Sequence, residues 1–196
     1  MHASADRTSS MTDRYALIPE RSRFTVQAFA GGPLSGFAHN PVFAVRQFSG
    51  QVNFAPEALD PSCQIIVQAD SLSLIGNVKT RDRLEIERQM FDEVLEVKKF
   101  QRIAFHSTEF AATKIADGWY RAQIRGGMQL HGLALNQLID LQLRLSDNEL
   151  RLSGEFPLSL TAYRLKRVSA LGGMIQLKDE LKFSFDLIGQ KQESTP

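Results

Sequence analysis

The stretch Ile139-Asp140-Leu141-Gln142-Leu143-Arg144-Leu145 alternates strictly between apolar and polar residues. A period of two is typical of a β-strand that has one buried face. The turn residues Ser146-Asp147-Asn148-Glu149 follow, and alternation then resumes in Leu150-Arg151-Leu152-Ser153-Gly154-Glu155-Phe156. Two alternating segments joined by a short polar turn predict an antiparallel hairpin. The hairpin indicates an all-β fold.

The same alternation occurs throughout the chain, and with the hairpin it predicts about eight strands. The other segments are Phe24/Val26/Ala28, Phe48/Val52/Phe54, Ile65/Val67/Ala69, Ile103/Phe105, Tyr120/Ala122/Ile124 and Leu181/Phe183/Phe185/Leu187. An antiparallel sheet of eight strands that closes on itself has no exposed edges, and its interior holds either side chains or one slender ligand. We therefore expect an eight-stranded antiparallel barrel.

One segment, residues 80–97, departs from this period. Its apolar residues follow the spacing of a helix, at Leu84, Ile86, Met90, Phe91, Val94 and Leu95. Thr80 or Asp82 is the expected N-cap. The i,i+4 pairs Arg81/Glu85, Arg83/Glu87 and Arg88/Asp92 are expected to add a few tenths of a kcal/mol each. We predict one amphipathic helix that lies against the barrel or over one end.

Length and charge limit the classes of function. A chain of 196 residues fits one domain, expected at 15–189, with disordered segments at 1–14 and 190–196. The formal net charge of +1 gives no long-range attraction for nucleic acid or an anionic bilayer. No apolar run approaches the ~20 residues of a membrane helix, so we expect no nucleic-acid partner and no stable membrane insertion.

The N-terminal residues suggest a location. Residues 1–14 contain charged and small polar residues without the apolar core of a secretory signal, so a cytoplasmic protein is expected. Met11 is an alternative start to Met1.

A single cysteine, Cys63, rules out an intramolecular disulfide, and in an Ile/Val-rich strand we expect it to be a small buried hydrophobe.

No pattern in the sequence supports a catalytic or metal site. The four histidines form no HExxH or other closely spaced ligand pair, and neither a nucleophile elbow nor a nucleotide-binding glycine loop occurs. We expect His106 on the outer face of its strand, His131 as a hydrogen-bonded turn residue and His39 at a barrel mouth. No catalytic residue, metal or cofactor is predicted, although a site assembled across strands would leave no local motif.

Several short motifs occur in a definite order. They are Ser22-Arg23-Phe24-Thr25-Val26, Gly36-Phe37-Ala38-His39-Asn40-Pro41, Phe48-Ser49-Gly50, Arg81-Asp82-Arg83-Leu84, Met90-Phe91-Asp92, Ile103-Ala104-Phe105-His106-Ser107-Thr108, Gly126-Gly127-Met128-Gln129-Leu130-His131-Gly132, Gly172-Gly173 and Lys178-Asp179-Glu180-Leu181-Lys182-Phe183. This order and spacing resembles the YceI-like family from about Tyr15 to Ile188. The family's frequent Leu-Thr-Leu-His-Gly-Val-Thr-Lys run reads here Met128-Gln129-Leu130-His131-Gly132-Leu133-Ala134-Leu135, and its usual Tyr-Pro reads Phe100-Gln101.

The resemblance implies a soluble lipocalin-like barrel that binds long apolar molecules such as polyisoprenoids. The thirteen phenylalanines either fill a solid core or line a cavity, and the resemblance favours a partly hollow interior. The residues expected to contact the ligand are Phe24, Val26, Phe37, His39, Phe48, Val52, Phe54, Ile65, Val67, Ile103, Phe105, Tyr120, Ile124, Leu141, Leu143, Phe156, Phe183 and Phe185. His39, Asn40 and Arg164 are candidates for orienting a head group at the mouth.

The expected function is non-enzymatic binding, sequestration or transport of a polyisoprenoid, an isoprenoid quinone or a fatty amphiphile, with a homodimer as one assembly. One alternative is an enzyme, such as a hydrolase or isomerase, acting on a lipid-like substrate in the same cavity. A buried histidine beside a carboxylate would favour this alternative. Another is a filled, ligand-free barrel that serves as an interaction or dimerisation module, which a solid core would favour.

Overall fold

A computed structural model describes residues 12–33, 40–56, 60–170 and 175–193. Its twelve strands are β1 Asp13–Leu17, β2 Arg23–Gly31, β3 Val42–Val45, β4 Phe48–Phe54, β5 Ser62–Gln68, β6 Leu72–Ile75, β7 Arg102–Ala116, β8 Trp119–Leu130, β9 Leu133–Leu145, β10 Glu149–Ser159, β11 Ser169–Ala170 and β12 Ile175–Lys191. One α-helix, α1, spans Thr80–Arg88 and continues as a π-helical turn, Gln89–Val94. Short 3₁₀ turns lie at Pro19–Arg21 and Ala69–Ser71.

The strands close into an antiparallel barrel, as predicted. Its eight-membered ring runs β1-β4-β5-β7-β8-β9-β10-β12 and returns to β1, which pairs with both β4 and β12. At the other end of β12, the sheet continues through β2, β3 and β6. Strand pairing extends from Asp13 to Lys191, two residues beyond each end of the range expected for the barrel domain.

The predicted hairpin forms as β9 and β10, in which Leu145 lies opposite Leu150. Short segments that the alternation did not reveal add β1, β3, β6 and β11. These strands are at most five residues long, and β3 is a continuous apolar run, so none of them shows a clear period of two.

The side chains expected on the inner face are buried or half-buried wherever the structure describes them. At the end of the barrel where β1 joins β4, the interior is filled: Tyr15, Val52 and Leu143 are no more than 1% exposed. Phe54 stacks on Phe110 with ring centroids 5.9 Å apart and meets the edge of Tyr120 at 5.3 Å. Aromatic packing therefore makes this end solid.

The helix forms where the sequence predicts it, but its details differ. The helical segment ends at Val94 instead of residue 97. Its last turn is π-helical, and the Leu95 N–H that follows it donates to Met90 O at 2.9 Å. The expected cap is wrong: Lys79 precedes the helix and no side chain caps it, because Thr80 is already the first helical residue. Arg88 pairs with Glu85 and Glu93 instead of Asp92.

The helix covers a free strand edge. β7 pairs with β5 but not with β6, so the backbone of β6 lacks a neighbouring strand on one side. Glu87 Oε1 accepts a hydrogen bond from Leu74 N–H at 2.9 Å, and the Arg83 guanidinium donates to the carbonyls of Leu74 and Gly76. Two helix side chains thus replace the missing strand's backbone groups.

We expect Glu87→Leu to destabilise the protein by about 1–3 kcal/mol, because the half-buried N–H of Leu74 loses its acceptor. Glu87→Gln keeps an acceptor oxygen and should restore most of the stability. Urea unfolding measures the change, and amide hydrogen exchange at Leu74 should accelerate in the leucine variant alone. The matched control is Glu85→Leu, on an exposed side chain that contacts Arg88 and Gln89. An equal loss in both leucine variants would contradict the edge-capping role.

Candidate ligand-binding cavity

The half of the barrel beneath the helix is hollow. A cavity of about 750 Å³ lies between the solid end and the helical segment. Its wall is mostly apolar and comes from β2, β3, β5 to β10, β12 and the helical segment, with residues such as Val26, Phe43, Val67, Phe105, Ile139, Leu141, Phe156 and Phe183. This volume lies within the range of ordinary small-molecule sites.

The structure brings together most of the residues expected to contact a ligand. Those that line the cavity are Phe24, Val26, Ile65, Val67, Ile103, Phe105, Ile124, Leu141, Phe156, Phe183 and Phe185. Five others are buried in the barrel but do not line the cavity: Phe48, Val52, Phe54, Tyr120 and Leu143. Alternation gives the face of a side chain but not its height along the barrel axis, so it could not separate the two groups. Phe37 and His39 lie outside the described residues.

The helical segment also contributes to the wall, although none of its residues was predicted to contact the ligand. Asp82, Ile86, Gln89, Met90, Val94 and Leu95 all line the cavity. The first four follow i, i+4, i+7 and i+8 spacing, which places them on one helix face and could have identified them. The π-helical turn then inserts one residue, so that Leu95, five positions after Met90, again faces inward.

A second missed part of the wall is the turn after β10, which contributes Leu160 and Leu165. A register shift in β12 between Leu177 and Leu181 directs Asp179 towards this turn. The Asp179 carboxylate accepts hydrogen bonds from Ser159 Oγ at 2.6 Å and Thr161 N–H at 2.8 Å. These bonds, from Ser159 and then Thr161, hold the pKa of Asp179 below its usual value.

Two glycines allow the close approach of cavity-lining aromatic rings. A Cβ on Gly126 would overlap the carbonyl of His106 and come within 2.7 Å of the Phe105 ring. A Cβ on Gly154 would lie 2.9 Å from the Phe185 ring. Glycine within a strand commonly marks such a close approach. Both glycines therefore help to position the rings.

Of the three polar groups predicted at the mouth, His39 lies outside the described residues, and Asn40 and Arg164 do not line the cavity. Arg164 is exposed. Asn40 uses its carboxamide oxygen to accept a hydrogen bond from Ala30 N–H at 2.9 Å. The polar residues of the wall are instead Asp82, Gln89, Ser169 and Gln176.

The remaining candidates for chemistry have structural surroundings. His131 Nε2 lies 2.6 Å from Glu96 Oε2 in the turn before β9, and its ring centroid is 4.3 Å from that of Phe100. His106 is exposed, as predicted. Cys63 is buried in the cavity wall, and desolvation raises the pKa of its thiol to about 12, so it behaves as the predicted hydrophobe.

Among residues 12–33, 40–56, 60–170 and 175–193, no three His, Cys, Asp or Glu side chains gather in a way that could hold a metal ion. Within the same part of the chain, the helix is too short and too polar to cross a bilayer.

Residues 15–188 match the family model of the YceI-like domain. The chain belongs to the YceI-like family. The match covers nearly the whole barrel and confirms the resemblance seen in the sequence motifs. No curated protein shows significant sequence similarity to this YceI-like chain.

Solved structures share the fold at low sequence identity. BcnA of Burkholderia cenocepacia has a TM-score of 0.66 and 16% identity, covering 88% of this chain and 98% of BcnA. A polyisoprenoid-binding domain from Saccharophagus degradans, implicated in plant cell wall breakdown, has a TM-score of 0.62 and 12% identity, covering 91% and 98%. The YCEI protein of Campylobacter jejuni has a TM-score of 0.58 and 12% identity, covering 77% and 85%.

The neighbours Gly126 and Gly127 offer a matched test of how the cavity wall is built. We expect Gly126→Ala to cost about 1–3 kcal/mol, because its Cβ has no room beside His106 and Phe105. Gly127→Ala should be neutral or slightly stabilising, since a Cβ there meets no heavy atom within 4 Å. Thermal or urea unfolding of both variants measures the difference, and equal costs would show that the backbone adjusts freely at Gly126.

A pH titration tests the role of Asp179. Because its folded pKa is lowered, its stabilisation is complete above the unfolded pKa of about 3.9 and is lost as the pH falls through the folded value. In Asp179→Asn we expect a lower urea midpoint at pH 7 and a smaller further loss between about pH 4 and pH 2. Asp147→Asn, on an exposed residue of the β9–β10 turn, is the control. An acid profile of Asp179→Asn parallel to that of the wild type would contradict this role.

Proposed function

We propose that this YceI-like protein binds the hydrocarbon chain of a polyisoprenoid or a related amphiphile inside the barrel and performs no chemistry on it. The observation that carries the proposal is the apolar cavity of about 750 Å³. Transfer of apolar surface from water into such a site contributes about 25 cal/mol per Å², less the entropy lost when a flexible chain is ordered. The family assignment and the fold shared with a polyisoprenoid-binding domain support the same ligand class.

The cavity volume sets the size of the ligand. A water molecule occupies about 30 Å³ in the liquid, so about 750 Å³ corresponds to roughly 25 groups of that size. A chain of four or five isoprene units has about this number of carbon atoms. We therefore expect affinity to rise with chain length up to roughly 20–25 carbons and then to level off, because further units remain in solvent.

The two alternatives find less support. A filled barrel would have a solid interior, whereas only one end is solid here. An enzyme would be favoured by a buried histidine beside a carboxylate, and His131, which is half-buried, lies beside Glu96. Neither residue lines the cavity, however, and the pair holds the turn before β9. The homodimer and the cytoplasmic location stay predictions from the sequence.

Displacement of an environment-sensitive fluorescent fatty-acid probe by unlabelled prenols of 10, 15, 20 and 30 carbons tests the proposal. We expect dissociation constants to fall with length and to level off near 20–25 carbons. In Phe183→Trp, a larger ring beside Phe156 narrows the bore, so the longer prenols should lose more affinity than the shortest. Leu138→Trp places the same side chain on the outer wall, where Leu138 is 44% exposed, and should leave the series unchanged.

Thermal unfolding of both tryptophan variants serves as the folding control, since a larger core side chain typically costs about 1–3 kcal/mol. If no prenol displaces the probe from the folded wild type, the proposed function is wrong. An unchanged series in folded Phe183→Trp would place the chain outside the cavity beside Phe156.

A further inference from the structure

The polar residues of the cavity wall are few and lie towards one end. Of the four, Asp82, Ser169 and Gln176 are exposed and therefore mark the mouth, and Gln89 is half-buried. The rest of the described wall is apolar except for backbone groups. A chain with one polar end therefore has a single favourable orientation, with its tail inside and its head group at the mouth.

The charge at this mouth is negative. Asp82 is the only charged residue among the described residues that line the cavity. Its first-turn position in α1 also offsets the positive end of the helix dipole, which would otherwise favour an anion. An anionic head group would therefore meet a like charge in the wall of the cavity.

Lys79 and Arg81, close to Asp82 in the sequence, are exposed and do not line the cavity. Three further cations have other partners. The Arg83 guanidinium donates to backbone carbonyls of β6 and its loop, and Lys166 Nζ lies 2.6 Å from Glu93 Oε2. Arg167 donates two hydrogen bonds to Leu177 O, at 2.8 and 3.0 Å. Moving any of these three cations to a ligand would break an existing contact.

We infer that the site selects chains whose head group is a hydrogen-bond donor without negative charge, such as a hydroxyl or an amine, and discriminates against carboxylates and phosphates. Asp82 accepts the hydrogen bond, and the carboxamides of Gln89 and Gln176 supply further polar contacts at the rim. This selectivity rests on the proposed binding of an apolar chain in the same cavity. It adds the class of head group, which the volume and the apolar wall do not define.

Three ligands with the same 20-carbon chain test this inference: geranylgeraniol, geranylgeranylamine and geranylgeranyl phosphate. Dissociation constants measured with the wild-type protein at low ionic strength should be at least tenfold higher for the phosphate than for the alcohol. In Asp82→Asn the difference should shrink to about threefold or less, and the amine should lose affinity. Asp92→Asn removes an exposed carboxylate of the π-helical turn that does not line the cavity, and it should leave all three values unchanged.

The outcomes separate the two proposals. If the phosphate binds as tightly as the alcohol and the amine, the head-group selectivity is overturned and chain binding stands. The selectivity is also overturned if Asp82→Asn leaves the ratio of phosphate to alcohol unchanged while the variant remains folded. If none of the three ligands binds the folded wild type, the proposed chain binding fails and the selectivity fails with it.

Discussion

The rest of the structure depends on the gap between β6 and β7, where strand pairing around the barrel is interrupted. β6 follows β5 in the chain after a short 3₁₀ turn. β5 pairs with β7 but β6 does not, so the sheet is open between β6 and β7. A free edge inside a barrel needs partners for its backbone groups, and Arg83 and Glu87 supply them. The same opening brings α1 and its π-helical turn into the wall. The cavity therefore has a helical side that a continuous sheet would not provide.

The two ends of the barrel differ in how their inward side chains meet. At the solid end, rings such as Phe54, Phe110 and Tyr120 contact one another across the interior. In the hollow half, the rings of Phe105 and Phe185 lie close to Gly126 and Gly154 and line the cavity. Both ends have the same apolar alternation. Composition alone therefore does not distinguish a filled barrel from a hollow one.

This difference explains which features could be predicted from the sequence. A period of two assigns each side chain to a face, and every described residue expected inside is buried or half-buried. The position of a residue along the barrel axis depends on strand register. The register brings Val52 opposite Tyr15 in the solid end and Phe183 opposite Val26 in the hollow half. The polar mouth was missed for a related reason. The sequence offered Asp82 only as a helix cap, and only the docking of α1 shows that Asp82 and Gln89 border the cavity.

Because of how the helix is attached, the helical part of the cavity wall is less stable than the barrel. No residue of α1 is fully buried, whereas the following π-helical turn buries Met90 and Val94. The contacts of α1 with β6 are mainly side-chain hydrogen bonds to backbone, and each such bond contributes about 1 kcal/mol. Elements with few buried apolar contacts open at a free energy below that of global unfolding. The mouth is therefore formed by a locally weaker element on a strong barrel, and an apolar chain in the cavity would contact Ile86 of that element.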